Sequence, residues 1–168
     1  MPEIRDLFLK GIELRMIENL DRLRICTNIL EEDQLWEKPN ASLNSAGNLL
    51  LHLNGNIQQY LLSGLTASKD ARVREEEFND NQKIEKEILW EMHCKKVRSS
   101  LEVLNNLTDD SLKAVYHIQG FELCGIDVLI HVVEHYSYHT GQIALLTKLF
   151  TNKDLGFYQG KDLNKPNK

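Results

Sequence analysis

Four long stretches of this chain place apolar residues at alternating steps of four and three, which is the spacing of one face of an α-helix. The stretches extend from about Pro2 to Glu31, Ser45 to Leu65, Asn81 to Leu107 and Ile126 to Phe150. A length of 168 residues suits one domain. The pattern therefore predicts an all-α protein with one four-helix bundle over residues 1–155 and a polar tail over residues 156–168.

The first and third helices carry clear core stripes. We expect the inward side chains to be Met16, Leu20, Leu23, Thr27 and Leu30 in the first helix and Trp90, Cys94, Val97, Leu101 and Leu104 in the third. Asn44 or Ser45 is suited to cap the second helix, and Gly64 to help end it. Asp80 or Asn81 is the expected cap of the third helix.

Polar connections separate the helices, over residues 32–44, 66–80 and 108–125. Each is longer than the roughly 2–8 residues of a tight helical hairpin, so we expect at least one connection to cross the length of the bundle and join parallel helices. In the last connection, Thr108 is placed to cap a short turn. Apolar residues on both sides of Gln119-Gly120 predict a small β-hairpin there.

Charge, cysteine content and the length of apolar runs indicate which partners and which cellular compartment to expect. The net charge of −5 argues against a nucleic acid or an anionic membrane as the main partner. The residues after Met1 lack the apolar run of a secretory signal, and no stretch approaches the about 20 apolar residues that span a bilayer. The three cysteines form no C-x-x-C pair, which excludes a thiolate zinc site. We expect a cytoplasmic protein with reduced thiols.

The fourth helix has a core stripe that polar side chains interrupt. Its members are Val128, Val132, His135, His139, Gln142, Leu146 and Leu149, at steps of 4-3-4-3-4-3. Burying a polar group without a partner costs roughly 1–3 kcal/mol, and the three polar groups occupy consecutive stripe positions. These three side chains are therefore expected to find hydrogen-bond partners or a bound metal ion at this level of the bundle.

A metal ion is the partner that the spacing favours. His135 and His139 are four residues apart, so their rings lie one above the other on the helix. His52, in an apolar part of the second helix, can face inward as well. Three neutral imidazoles with one coordination position left open are typical of a catalytic centre, and they suit a divalent ion such as zinc or nickel.

Other polar residues close to these histidines in the sequence are candidates for supporting roles. Gln142, one turn beyond His139, is placed to orient a ligand ring or polarise a substrate. Glu134 is a candidate general base or outer hydrogen-bond partner. Asn48 is suited either to a hydrogen bond inside the bundle or to capping its helix, and His131 is interpreted as an outer residue rather than a ligand.

Two interpretations of the histidine cluster are open on these residues. In the first, the protein is an enzyme whose metal activates water for hydrolysis or a thiol for transfer. In the second, it is a non-enzymatic helical module whose His/Gln seam fixes helix register or a dimer interface. The sequence contains no Glu-x-x-His pair of a di-iron bundle, no H-E-x-x-H and no phosphate loop. His93 and His117 lie outside the pattern and are interpreted as ordinary histidines.

The same residues carry a resemblance to a known family. The motifs are Glu134-His135-x-x-x-His139-x-Gly141-Gln142-Ile143, Asn48-x-x-x-His52 followed by Gly55-Asn56, and Trp36-x-x-Pro39 before Asn44-Ser45-x-Gly47-Asn48. Together with the order of four helices, they resemble the DinB/YfiT-like superfamily.

The resemblance implies an up-down-down-up bundle, often a homodimer, that holds a divalent metal through His52, His135 and His139. It further implies a small-molecule substrate and either transferase chemistry with a low-molecular-weight thiol or metal-dependent hydrolysis. The superfamily also includes proteins named for DNA-damage induction, so a stress-response interaction module is the alternative. No basic stripe in this sequence supports DNA binding.

Overall fold

The computed structural model describes residues 2–66, 68–79 and 83–167, and most of them are helical. The helices are α1 (Ile4–Ile29), α2 (Glu32–Trp36), α3 (Ala46–Asn56), α4 (Lys86–Asn105), α5 (Asp109–Lys113) and α6 (Gly125–Thr151). A π-helix continues α3 over Ile57–Ser63 and ends at Gly64, a 3-10 helix spans Arg74–Phe78, and strands β1 (Val115–Ile118) and β2 (Phe121–Cys124) pair antiparallel. The predicted helical bundle and hairpin are confirmed, whereas α2 and the 3-10 helix were not predicted.

The four long helices α1, α3, α4 and α6 form the bundle. Helix α1 packs against α4 and α6, and α3 packs against the same two helices from the opposite corner. The end of α1 meets the start of α4, because Lys86 Nζ donates to Leu30 O at 2.9 Å. Cys26 of α1 contacts Thr147 near the end of α6. Helix α1 is therefore antiparallel to α4 and parallel to α6.

Helices α3 and α4 run parallel to each other. Asn54 and Gln58 follow the direction of α3, and they contact His93 and Lys96 in the same order along α4. The connection between α3 and α4 must therefore return along the length of the bundle. This arrangement is the up-down-down-up topology that the resemblance implied.

The N-termini of two long helices test the predicted caps. Ser45 caps α3: its side chain accepts from the backbone N–H of Asn48, whose own side chain accepts from the backbone N–H of Ser45. The predicted start of the third helix near Asn81, with Asp80 or Asn81 as cap, lies outside the described residues. Residues 83–85, however, are described and are not helical, so the helix begins at Lys86 with Glu85 as its N-cap residue, later than predicted.

All three predicted core stripes differ in part from the structure. In α1, Leu20 is only half-buried. The fully buried face of α4 consists of Leu89, His93, Val97, Ser100 and Leu104, whereas Trp90, Cys94 and Leu101 are only half-buried. The buried face of α4 thus includes His93, which contacts Asn54 of α3 and Tyr136 of α6. In α6, Leu149 is 61% exposed, so its predicted inward position is wrong. Leu149 lies in the last turn of α6, on the side that faces solvent.

His93 forms a buried polar contact with two neighbouring helices. Its Nδ1 lies 2.7 Å from Asn54 Oδ1, and its Nε2 lies 2.6 Å from the hydroxyl of Tyr136. An amide oxygen only accepts, so Nδ1–H donates to Asn54 and Nε2 accepts from Tyr136. The neutral imidazole uses both of its nitrogens in this way. His93 is therefore a core residue that joins α3, α4 and α6.

A substitution at Gly47 tests how closely Trp36 packs against α3. A Cβ at this position would lie 2.7 Å from Cε3 of Trp36, whose indole is buried. We expect Gly47→Ala to lower the free energy of unfolding by about 1–3 kcal/mol, the usual cost of overpacking, as measured by urea denaturation. Gly11→Ala is the control, because a Cβ there meets no atom within 4 Å. Wild-type stability of Gly47→Ala would contradict this packing.

None of the described helices is both long enough and apolar enough to cross a membrane.

Candidate metal centre

Helices α3 and α6 bring three histidines together. One nitrogen from each of His52, His135 and His139 lies within 4.8 Å of the other two. The rings meet edge to face, with centroids 4.9, 4.9 and 4.5 Å apart. His135 and His139 share a face of α6, and the antiparallel α3 places His52 opposite them. The sequence predicted this juxtaposition, while the role of the three residues as ligands stays a prediction.

A segment between α3 and α4 determines the tautomer of His52. We call residues 68–79 the strap. Glu77 in the strap places Oε2 2.7 Å from His52 Nδ1, and it forms a two-point ion pair with Arg72 at 2.6 and 2.9 Å. Burial would raise the pKa of Glu77, but the hydrogen bonds from Arg72 and His52 lower it below its usual range. Arg72 Nη2 also lies 3.1 Å from His52 Nδ1, but it donates to Oε2 of Glu77. Because a carboxylate only accepts and its contact with Nδ1 is the shorter one, His52 donates from Nδ1 and keeps the lone pair on Nε2.

Gln142 has the same effect on His139. Its Oε1 lies 2.7 Å from His139 Nδ1, so the imidazole donates from Nδ1 and keeps the lone pair on Nε2. Burial is the main cause that lowers the pKa of His139; the hydrogen bond to Gln142 opposes the shift. Gln142 is thus in position to orient this ring, as the sequence suggested.

His135 completes the cluster and contacts His52 directly. The two Nε2 atoms are 3.0 Å apart. Burial, followed by repulsion from His139 and His52, lowers the pKa of His135 to about 3. His135 and His139 are therefore favoured in the neutral form, which is the form that binds metal ions.

The donor set fits a divalent metal ion. Metal–nitrogen bonds of about 2.0–2.1 Å in a tetrahedral site separate ligand nitrogens by about 3.3 Å. The pair formed by His52 and His135 is close to this separation, and His139 needs only a small side-chain movement. Within the described part of the chain, no fourth His, Cys, Asp or Glu belongs to the group. Three protein nitrogens with a further position open are typical of catalytic rather than structural sites.

Comparison with known proteins places the chain in a family. A family model described as "Protein of unknown function (DUF1572)" matches residues 7–158. The chain belongs to the DUF1572 family. The crystal structure of a DinB-like protein from Bacillus cereus ATCC 10987 is similar, with a TM-score of 0.66 and 16% identity over 85% of this chain and 90% of that one. No curated protein matches the sequence. At this identity the likeness shows the fold, and the DinB-like resemblance is confirmed.

His131 in this DUF1572 protein lies beside the group of three rather than within it. Its ring stacks on Tyr60 of the π-helix at 4.1 Å and faces the ring of His135 at 5.5 Å. Its Nε2 contacts Asn56 Nδ2 at 3.2 Å. The hydroxyl of Tyr60 donates to Gln119 at the turn of the hairpin, 2.9 Å away. A chain of contacts thus extends from the hairpin to one of the candidate ligands.

The remaining predicted site residues are placed differently. Asn48 both takes part in the α3 cap and donates from Nδ2 to the backbone oxygen of Glu77 at 3.1 Å, so it also holds the strap. Glu134 is exposed, and its carboxylate forms no hydrogen bond within the described residues. Its charge acts on His131. The geometry therefore gives no support to Glu134 as a general base.

Sequence reasoning missed the strap. Arg72 and Glu77 belong to a charged stretch that was interpreted as a polar connection, and Glu75-Glu76-Glu77 has the composition of a solvated surface. Phe78, also in the strap, lies 5.0 Å from the His52 ring, and Tyr138 of α6 lies 4.9 Å from the His139 ring. The periodicity of the helices contains no signal for these contacts.

Proposed function

We propose that this DUF1572 protein is a metal-dependent enzyme whose metal ion activates a low-molecular-weight thiol or a water molecule. In this proposal, His52, His135 and His139 hold a divalent ion, zinc or nickel. The observation that carries it is the convergence of three histidine imidazoles from two helices, without a fourth protein ligand among the described residues. A homodimer and a small-molecule thiol partner are part of the same proposal.

The protein's own residues would prepare the site for this chemistry. Glu77 and Gln142 accept hydrogen bonds from Nδ1–H of His52 and His139, so that both rings keep the Nε2 lone pair for a metal ion. When bound, the ion would lower the pKa of a coordinated thiol or water so that either becomes a nucleophile near neutral pH. Three neutral ligands leave the full 2+ charge available for this purpose.

Thiol transfer is the first candidate reaction and hydrolysis is the second. Zinc and nickel accept sulfur ligands readily, and the half-buried aromatic ring of Phe78 beside His52 gives the site an apolar neighbour. A thiolate loses less hydration than hydroxide in such surroundings. We therefore place S-transfer to an electrophilic carbon above the hydrolysis of an ester or amide.

Metal content and turnover together test this proposal. Protein produced with zinc or nickel in excess is expected to carry about one ion per chain. It should then transfer a small thiol to an epoxide or alkyl halide, lose this activity in a chelator and regain it when the metal is restored. Activity on esters or amides alone would favour the hydrolase. Protein without stoichiometric metal would refute the proposal and favour a seam that only fixes helix register.

A further inference from the structure

The strap lies against α3 at the level of the candidate metal centre, and its buried charges meet a candidate ligand. We propose that Glu77, held by Arg72, is a positioning residue of the metal centre, and that docking of the strap on α3 and metal binding strengthen each other. This inference rests on the proposed metal site. It assigns part of that site to a connection that carries no recognisable motif.

The carboxylate of Glu77 is fixed from several directions. Arg72 donates from Nε to Oε1 and from Nη2 to Oε2, and its Nη1 donates to Oε1 of Gln59 at 2.9 Å. The side chains of Arg72 and Glu77 are 3% and 9% exposed. The backbone oxygen of Glu77 accepts from Asn48, one turn before His52 on α3. Both carboxylate oxygens are therefore engaged, and Oε2 is held at one point beside His52 Nδ1.

Gly55 is an independent indication that α3 is shaped to receive the strap. A Cβ at this position would lie 1.8 Å from Oε1 of Glu77 and 2.7 Å from Nε of Arg72. A glycine inside a helix weakens the helix relative to alanine. At this position, however, the missing side chain creates the space that the ion pair fills. The absence of a side chain at Gly55, three residues after His52, is thus explained by the space that Arg72 and Glu77 occupy.

Docking of the strap and metal binding are coupled through His52. With the strap docked, the imidazole holds its proton on Nδ1 and presents Nε2; with the strap released, the ring can rotate and change tautomer. Loss of the partner that holds a metal-bound histidine typically costs 10–100-fold in metal affinity. Coupling between two equilibria is reciprocal, so bound metal should make release of the strap rarer by the same factor.

The test combines zinc affinity with hydrogen exchange of the strap. Zinc affinity is measured by competition with a chromophoric chelator for wild type, Glu77→Gln and Gly55→Ala. Two matched controls are Glu76→Gln, which removes an exposed neighbouring carboxylate, and Gly11→Ala, where a Cβ meets open space. We expect both test variants to bind zinc at least about tenfold more weakly and both controls to bind it like wild type.

Hydrogen exchange needs no variant and keeps the inference testable if a substitution impairs folding. In wild type, zinc should slow exchange of the amides of residues 68–79 by about 10–100-fold, more than it slows those of the hairpin β1–β2. Wild-type protein that binds zinc while the strap amides and both variants are unaffected would overturn this inference alone. Wild-type protein that binds no zinc would overturn the proposed function together with it.

Discussion

His139→Ala is expected to abolish stoichiometric zinc binding. The substitution leaves two protein nitrogens, and the loss of a ligand must exceed the roughly 10–100-fold cost of losing a residue that only supports a ligand. His52→Ala should have the same result, because it leaves only the pair His135 and His139 on one helix. Metal analysis after dialysis and chelator competition measure both effects.

Thermal stability gives a second measurement of the same effect. Zinc at a hundredfold excess over its dissociation constant should stabilise wild type by about 2.7 kcal/mol and leave His139→Ala and His52→Ala unaffected. His117→Ala is the control, because His117 is exposed on β1, away from the cluster. One equivalent of zinc retained by His139→Ala at wild-type affinity would show that the ion binds elsewhere.

The stability of the metal-free protein should fall steeply as the pH decreases below about 6.5. Burial lowers the pKa of His93 from 6.5 to about 3, so the native state holds it neutral while the unfolded chain takes up a proton. The contribution of neutral His93 to the free energy of unfolding is complete above its pKa in the unfolded chain, 6.5. It is lost progressively as the pH falls toward its pKa in the native state, about 3. Between these two values the free energy of unfolding falls by about 1.4 kcal/mol per pH unit. Protonation of His93 alone should therefore lower the free energy of unfolding by about 2 kcal/mol at pH 5.

His135 should act in the same direction, because burial and the neighbouring imidazoles lower its pKa as well. Urea unfolding in the presence of a chelator at pH 7.5, 6 and 5 tests the prediction. His93→Gln keeps a hydrogen-bonding side chain and removes the titration, so its slope between pH 6 and 5 should be smaller by up to about 1.4 kcal/mol per unit. Parallel pH profiles of wild type and His93→Gln would contradict a neutral buried His93.

The sequence was most informative where structure depends on near neighbours. The 4-3 spacing in α6 was sufficient to place His135 and His139 on one face, and the same spacing in the second helix allowed His52 to face them. The hairpin followed from its turn residues, and the cap at Ser45 followed from its side chain. Each of these signals lies within a few residues of the structure that it predicts.

Features that depend on how distant segments pack were not predictable. The buried face of α4 includes His93 because Asn54 and Tyr136 from two other helices complete its hydrogen bonds. Leu149 fits the helical stripe of α6, but it is exposed, because whether another segment covers the last turn of a helix depends on distant parts of the chain. Glu77 is 25 residues from His52, and only the path of the chain between α3 and α4 reveals that they meet.

The order of helix directions has a chemical consequence. Since α3 and α4 are parallel, the connection between them has to return along the bundle, and it passes the middle of the bundle, where the histidines lie. An up-down-up-down bundle, closed by tight turns at its ends, would bring no additional backbone to that height. The up-down-down-up topology thus places the strap beside the histidines. The strap contributes the carboxylate of Glu77, which α3 and α6 alone do not provide.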